Sequence, residues 1–198
     1  EKQYPDRFYD VAIAEQHAVT FGAGLALGGM KPVVAIYSTF LQRAYDQLIH
    51  DVCLENIDVT FALDRAGIVG EDGPTHSGSF DISFMRCIPN IVISCPSNEH
   101  ELWHLLNICY EYKGPAAIRY PRGSGIGVQP IPNEVEGFEI GKAKKIKDGQ
   151  SVCILNFGVL MDQIDQIAEK KGYTLYDMRF IKPIDQDALE HAMQHETI

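Results

Sequence analysis

Short apolar runs that alternate with helical patterns constrain the fold of this chain more than any other feature of its sequence. The runs lie at 31–36, 58–63, 91–95 and 116–120, and helical patterns occupy 39–55 and 97–112. Strands that are apolar throughout are expected where helices cover both faces of a parallel sheet. We therefore predict an α/β fold with a doubly wound, mainly parallel sheet.

A change in composition divides the chain into two predicted units. Residues 1–123 carry the strand and helix alternation, whereas 124–141 are rich in Pro, Gly and Glu and are predicted to be a linker. A second βαβα pattern follows in 142–198, with strands at 151–157 and 173–177 and helices near 161–171 and from residue 185. Because this second unit is too short to close a sheet of its own, we predict an incomplete domain there.

Composition and charge exclude several classes of protein. The net charge of −10 disfavours nucleic acid or an anionic membrane surface as a partner. The five cysteines are an odd, scattered set without paired metal-ligand spacing, and three of them lie in apolar runs as buried thiols would, which favours a reducing compartment. Because the sequence shows neither an apolar run of about 20 residues nor a signal-peptide pattern, we expect a cytoplasmic protein.

Glu15 is the first candidate for a catalytic group. The segment 8–11 has a strand-like pattern, and small residues follow at Ala18, Gly22 and Ala26, a spacing that gives a helix one flat face. Glu15 lies where the strand would meet the helix and would point toward whatever packs against that face. A carboxylate in the first helical turn also interacts favourably with the helix dipole, which is the structural alternative for this residue.

A second group of candidates lies in the loop at 64–78, which follows a predicted strand. Ligands of open α/β sheets bind outside the carboxyl ends of the strands, which is where this loop would begin. It combines four glycines with Arg65, Asp72 and His76, which offer a cation, an acceptor and a proton carrier. A surface loop rich in turn residues is the alternative, but loops longer than about 12 residues in compact domains are usually functional or disordered.

The sequence also contains the zinc-hydrolase pattern H-E-x-x-H at His100, Glu101 and His104. A third ligand is missing at the expected distance. We predict instead an ordinary amphipathic helix with Ser97 as its N-cap and the histidines on a partly solvated face. Zinc hydrolysis is kept as a minor alternative.

Five motifs, in order along the chain, together resemble the 1-deoxy-D-xylulose 5-phosphate synthase family of the transketolase superfamily. They are I-A-E-Q-H at 13–17, Y-S-T-F-L-Q-R-A-Y-D-Q at 37–47, D-R-A-G at 64–67, G-E-D-G-P-T-H at 70–76 and R-Y-P-R-G at 119–123. The resemblance implies that 1–123 are a pyrimidine-binding domain without its first strand and helix. It implies that 142–198 begin a C-terminal domain. The diphosphate-binding domain, which would carry the Mg²⁺ ligands, has no counterpart, so no metal ligand is expected in this chain.

The resemblance also implies a role for each matching residue. Glu15 would hydrogen-bond the aminopyrimidine ring of thiamine diphosphate and act in catalysis, Phe40 would stack on that ring, and Arg43 would lie near it. A core phenylalanine and a solvated or paired arginine are the structural alternatives for the last two. The substrate-binding residues would be Tyr37, Arg65, Asp72, His76 and Arg122, with His76 also catalytic.

The implied reaction condenses pyruvate with D-glyceraldehyde 3-phosphate to 1-deoxy-D-xylulose 5-phosphate and CO₂, a precursor of isoprenoids, thiamine and pyridoxal. In this superfamily the cofactor lies between a pyrimidine-binding and a diphosphate-binding domain, commonly in a homodimer, so the chain alone is expected to be inactive. Transketolase and the 2-oxoacid dehydrogenase beta-type subunit are alternatives with the same architecture. A non-catalytic partner domain is the alternative from another class.

Overall fold

The computed structural model describes residues 2–129 and 138–198 as two sheets flanked by helices. The strands of the first sheet are β1 (Val33–Tyr37), β2 (Thr60–Asp64), β3 (Val92–Ser94), β4 (Ala116–Arg119) and β8 (Phe180–Lys182). Their order is β1-β2-β4-β3-β8, and every pair is parallel except β3 with β8. The predicted α/β fold with a mainly parallel sheet is therefore confirmed.

The second sheet has the order β5-β7-β6 and lies in the C-terminal part of the chain. Its strands are β5 (Lys144–Lys147), β6 (Cys153–Asn156) and β7 (Thr174–Asp177), with β6 parallel and β5 antiparallel to β7. The sequence predicted β6 and β7 but neither β5, which reads Lys-Lys-Ile-Lys, nor the three-residue β8. Because β8 pairs with β3, the C-terminal part contributes a strand to the first sheet.

The described residues contain seven α-helices. They are α1 (Glu15–Leu27), α2 (Ser38–Leu41), α3 (Tyr45–Gln47), α4 (Asp81–Arg86), α5 (Glu99–Glu111), α6 (Met161–Lys171) and α7 (Gln186–Ala192). The single helix predicted at 39–55 is wrong in detail, because a 3₁₀ turn at Gln42–Ala44 separates α2 from α3 and a wider π turn follows at Leu48–Cys53. The helix predicted near 161–171 is confirmed.

The strand predicted at 8–11 is wrong. This segment has no strand partner, and about half of the Phe8 and Tyr9 surfaces is exposed. The backbone N–H of Ala12 donates to Asp10 Oδ1 over 2.9 Å while Ala12 adopts a φ of 56°, so the chain turns sharply into α1. The small-residue face of that helix packs on β1, since a Cβ at Gly22 would lie 2.9 Å from Val34 Cγ2.

The start of α5 differs from the prediction as well. Asn98, not Ser97, caps the helix, and its side chain accepts a hydrogen bond of 3.0 Å from the backbone of Glu101. The Ser97 hydroxyl instead donates to Asp177 Oδ2 over 2.6 Å. The histidines do not share a solvated face, because His104 is fully buried and its ring packs against Phe138.

All five cysteines lie within the described ranges and are free thiols. Cys53, Cys95, Cys109 and Cys153 are buried, and Cys87 is exposed. Burial raises the pKa of Cys53 to about 12 and that of Cys109 to about 11. These two thiols are consequently protonated and part of the apolar core.

A buried polar cluster joins the two sheets. Arg179 pairs with Glu101 through an Nε to Oε2 contact of 2.8 Å, and both side chains are almost fully buried. Asp177 lies beside this pair and accepts the Ser97 hydroxyl. Burial raises the pKa of the Asp177 carboxyl to about 6, although the Ser97 hydrogen bond acts in the opposite direction.

The raised pKa of Asp177 predicts a pH-dependent effect of Asp177→Asn on stability. The Asp177 carboxyl binds its proton more tightly in the folded chain than an unfolded aspartate of pKa about 3.9 does. The contribution of the protonated carboxyl to folding stability is therefore complete below about pH 4 and is lost as the pH rises through 6. The amide carries no buried charge. We expect the variant to be more stable than the wild type at pH 8, by at most about 3 kcal/mol, and to have no such advantage at pH 4.

Urea unfolding at both pH values tests this expectation, with Asp6→Asn as a control at an exposed aspartate. A gain of the same size at pH 4 and pH 8 would contradict it.

Candidate functional site

The carboxyl ends of three neighbouring parallel strands define the candidate site. The register pairs Tyr37 of β1 with Asp64 of β2, and Leu63 of β2 with Arg119 of β4. The segments that leave these strands therefore begin side by side at one edge of the sheet. They carry all of the candidate residues except Glu15, which α1 supplies.

Three aromatic rings form the centre of the site. The rings of Tyr37 and Phe40 are stacked with centroids 5.2 Å apart and an interplanar angle of 12°. His76 meets Phe40 edge-on at 5.3 Å. Phe40 is only half-buried and lies outside the clusters of buried core residues, so the core alternative does not describe its environment.

Glu15 and Arg43 form an ion pair next to these rings. Glu15 is the first residue of α1 and is buried, and its Oε1 accepts a hydrogen bond of 2.8 Å from Arg43 Nη1. The guanidinium carbon of Arg43 lies 5.0 Å from the centroid of the Phe40 ring. Arg43 is more than half exposed, so it bridges a buried carboxylate and the surface of an aromatic side chain.

Two further arginines converge on one carboxylate. Asp72 Oδ2 lies 3.1 Å from Arg65 Nε and 2.9 Å from Arg122 Nε. Arg65 also contacts Asp64 Oδ2 through Nη1 at 2.9 Å, and its guanidinium carbon lies 3.9 Å above the centroid of the Tyr37 ring. A planar guanidinium stacked on an aromatic ring keeps its edge available for hydrogen bonds.

The structure thus brings the predicted residues together in one continuous set of contacts. The set is Glu15, Arg43, Phe40, Tyr37, Arg65, Asp72 and Arg122, with His76 attached through Phe40. Sequence reasoning missed Asp64 and Glu71 as partners of the arginines; Glu71 Oε1 accepts a hydrogen bond of 2.9 Å from Arg122 Nη2. A structural alternative for Arg122 is an ion pair with Glu134 or Glu136 of the predicted linker, and both glutamates lie outside the described residues.

The loop at 64–78 is ordered by its own hydrogen bonds. Gly67 and Gly78 exchange two backbone bonds of 2.9 and 2.8 Å, and Thr39 Oγ1 donates to the Thr75 carbonyl over 3.1 Å. Beyond the loop, Asp81 Oδ2 lies 2.8 Å from Arg119 Nε in a buried ion pair. The loop at 64–78 also contains short 3₁₀ turns at Gly70–Asp72 and Pro74–His76, so it is more structured than the surface-loop alternative implies.

No group of three metal-ligating side chains forms within residues 2–129 and 138–198. The pattern at His100, Glu101 and His104 therefore has no third ligand in this part of the chain, and its glutamate is occupied by Arg179. In the same ranges, no helix is both long and apolar enough to cross a membrane.

The family described as "Transketolase, pyrimidine binding domain" matches residues 1–126. The match covers more than half of the sequence and the whole of the site described above. The chain belongs to this family.

Curated relatives match over the whole chain. Proteins named 1-deoxy-D-xylulose-5-phosphate synthase from Francisella philomiragia and Idiomarina loihiensis are 59% and 57% identical to it over 197 residues, which is 100% of this chain and 32% of each relative. The chain therefore spans about a third of the length of these relatives.

Solved structures support the same fold. A structure titled "Split gene transketolase, inactive beta4 tetramer" matches with a TM-score of 0.84 and 28% identity, over 98% of this chain and 64% of that one. Transketolase from Campylobacter jejuni matches with a TM-score of 0.75 over 92% of this chain and 30% of that one, and at 19% identity it supports the fold alone.

The close packing at Gly78 predicts that Gly78→Ala destabilises the chain. A Cβ at this position would lie 2.2 Å from the carbonyl oxygen of Arg65, a backbone atom that cannot move without displacing the site. We expect a loss of about 1–3 kcal/mol, typical of overpacking.

Gly24→Ala provides the matched control, because a Cβ there meets nothing within 4 Å on an exposed face of α1. This change should stabilise the helix by up to about 1 kcal/mol. Urea unfolding of both variants measures the difference, and equal effects would contradict the packing argument.

Proposed function

We propose that this chain forms the pyrimidine-binding part of a thiamine diphosphate-dependent 1-deoxy-D-xylulose 5-phosphate synthase. That enzyme would condense pyruvate with D-glyceraldehyde 3-phosphate and release CO₂. The observation that carries the proposal is the continuous set of contacts from the Glu15–Arg43 pair, through Phe40 and Tyr37, to the arginines on Asp72. The identity of 57–60% to relatives of that name supports the choice of reaction.

The residues at the Glu15 end fit the aminopyrimidine part of thiamine diphosphate. A buried carboxylate beside a half-buried aromatic ring matches a planar ring that carries nitrogen donors, since the carboxylate can accept a hydrogen bond and the aromatic ring can stack. When bound, the cofactor supplies a carbon nucleophile that forms and breaks carbon–carbon bonds next to a carbonyl. The diphosphate-binding domain and the Mg²⁺ ligands would be supplied by other parts of the longer protein.

In this proposal Glu15 holds a proton that it shares with a ring nitrogen of the cofactor. Arg43 orients the carboxylate through the Nη1 to Oε1 contact of 2.8 Å and lies against Phe40 at the same time. Phe40 would stack on the cofactor ring.

The opposite end of the site would bind the substrates. Arg65 and Arg122 are two cations on one carboxylate, and guanidinium groups bind phosphate oxygens through paired N–H donors. His76 lies edge-on against Phe40 and would carry a proton to or from the reacting carbonyl. The Tyr37 ring would hold the Arg65 guanidinium in place by stacking against it.

The proposal includes the assembly around the site. Residues 1–123 would be the pyrimidine-binding domain, 124–141 a linker and 142–198 the start of a C-terminal domain, in a cytoplasmic homodimer. Because the chain spans about a third of its curated relatives, the chain by itself would be inactive.

Transketolase activity is the second candidate, favoured by the structural match to the split-gene transketolase at 28% identity. The donor substrate separates the two reactions. The full-length protein should release CO₂ from pyruvate in the presence of glyceraldehyde 3-phosphate. Transfer of a two-carbon unit from a ketose phosphate without CO₂ release would support the second candidate instead.

Glu15→Gln in the full-length protein is expected to lower turnover by a factor of about 10²–10⁴, as for other general acid–base groups. The amide oxygen can still accept the Arg43 hydrogen bond, but the side chain can no longer exchange a proton. Glu190→Gln, an exposed position on α7, removes the same charge and should keep wild-type turnover. Turnover within threefold of the wild type for Glu15→Gln would make Glu15 a structural residue.

Arg122→Ala should raise the KM for glyceraldehyde 3-phosphate about 10- to 150-fold, because a hydrogen bond to a charged group contributes roughly 1.5–3 kcal/mol. Pyruvate binding should change less. Arg86→Ala, at an exposed arginine on α4, serves as the control. Kinetics with unphosphorylated glyceraldehyde complete the test, since an equal loss with both aldehydes would show that Arg122 does not recognise the phosphate.

A further inference from the structure

Glu71 is an acidic residue to which the roles above assign nothing. It precedes Asp72 in the 3₁₀ turn at Gly70–Asp72, and its Oε1 accepts a hydrogen bond of 2.9 Å from Arg122 Nη2. The side chain of Glu71 is 81% exposed, whereas that of Asp72 is 19% exposed. Both carboxylates contact the Arg122 guanidinium, Glu71 from the solvent-exposed surface and Asp72 from a largely buried position.

The three carboxylates around the arginine pair differ in how firmly they are fixed. Asp72 Oδ2 contacts Nε of both arginines, so Asp72 sets their separation and orientation. Asp64 binds Arg65 through its side chain and also accepts the Arg65 backbone N–H over 2.6 Å. Glu71 has one ion-pair contact, to Arg122 Nη2, and it lies at the surface.

The charge balance at the arginine pair opposes the binding of an anion. Arg65 and Arg122 contribute two positive charges, and the carboxylates of Asp64, Glu71 and Asp72 contribute three negative ones. A phosphate monoester that approached this set would meet a net negative charge. Withdrawal of one carboxylate would remove the excess and free an N–H edge of Arg122 for the phosphate oxygens.

We propose that Glu71 is a specificity-determining residue that occupies the anion-binding edge of Arg122 and is displaced by the phosphate group of the substrate. Asp72 acts beside it as a positioning residue that keeps both guanidinium groups in place. An exposed ion pair contributes little stability, so its displacement costs little. The inference rests on the proposed function for the identity of the phosphate carrier, but the competition itself depends only on the contacts of Arg122.

The kinetic test compares two neighbouring substitutions in the full-length protein. Glu71→Gln should lower the KM for glyceraldehyde 3-phosphate about two- to fivefold, the range expected for the loss of a competing surface pair, and should leave the KM for unphosphorylated glyceraldehyde unchanged. Asp72→Asn should raise the KM for glyceraldehyde 3-phosphate about tenfold, because both arginines lose the carboxylate that positions them, and this loss outweighs the benefit of removing one negative charge. Glu190→Gln controls for the general loss of one negative charge.

A binding measurement separates this inference from the proposed reaction. Titration calorimetry with inorganic phosphate should show tighter binding to Glu71→Gln than to the wild type and to Glu190→Gln. If no synthase activity is found but this difference appears, the proposed function fails and the role of Glu71 stands. Equal phosphate binding by Glu71→Gln and the wild type, or equal gains in Glu71→Gln and Glu190→Gln, would overturn the inference whatever the turnover.

Discussion

The parallel pairing of β1, β2 and β4 is the constraint on which the rest of the site depends. Neighbouring strands lie about 4.8 Å apart, so the register that aligns Tyr37 with Asp64 also fixes the distance between the segments that follow them. A slip of one residue would turn every side chain of a strand to the opposite face. Because β2 is buried on both faces, such a slip would exchange its side chains between two differently packed parts of the core, and core packing thereby fixes the geometry of the site.

Sequence reasoning identified the residues of the site better than the contacts between them. The ordered motifs selected eight residues, and all eight are in contact in the structure, because each motif follows a strand end or begins a helix near that edge. The pairing of Glu71 with Arg122 was not predictable, since nothing in the motif at 70–76 marks this glutamate as the partner of a residue 51 positions later. His104 was predicted to be partly solvated because its helix has apolar residues on the other face, but the packing of Phe138 against it could not be inferred from local periodicity.

The backbone at Arg65 shows a second limit of local patterns. Arg65 has a φ of 57°, a left-handed conformation that costs a non-glycine residue about 1–2 kcal/mol. Asp64 offsets part of this cost by binding both the N–H and the guanidinium of Arg65. The turn directs the Arg65 side chain back over the Tyr37 ring. The strained backbone therefore orients the Arg65 guanidinium toward Asp72, which also contacts Arg122.

The antiparallel pairing of β8 with β3 has a consequence for how the chain is made. A ribosome that has just released β4 still has to synthesise the residues from Tyr120 to Lys182 before β8 can pair, which takes several seconds at roughly 5–20 residues per second. During that interval the hydrogen-bonding groups of β3 face no strand on one side, and an open edge of this kind can pair with another nascent chain. Several ribosomes on one mRNA bring nascent chains close together. This sheet would therefore be most exposed to misassembly during translation.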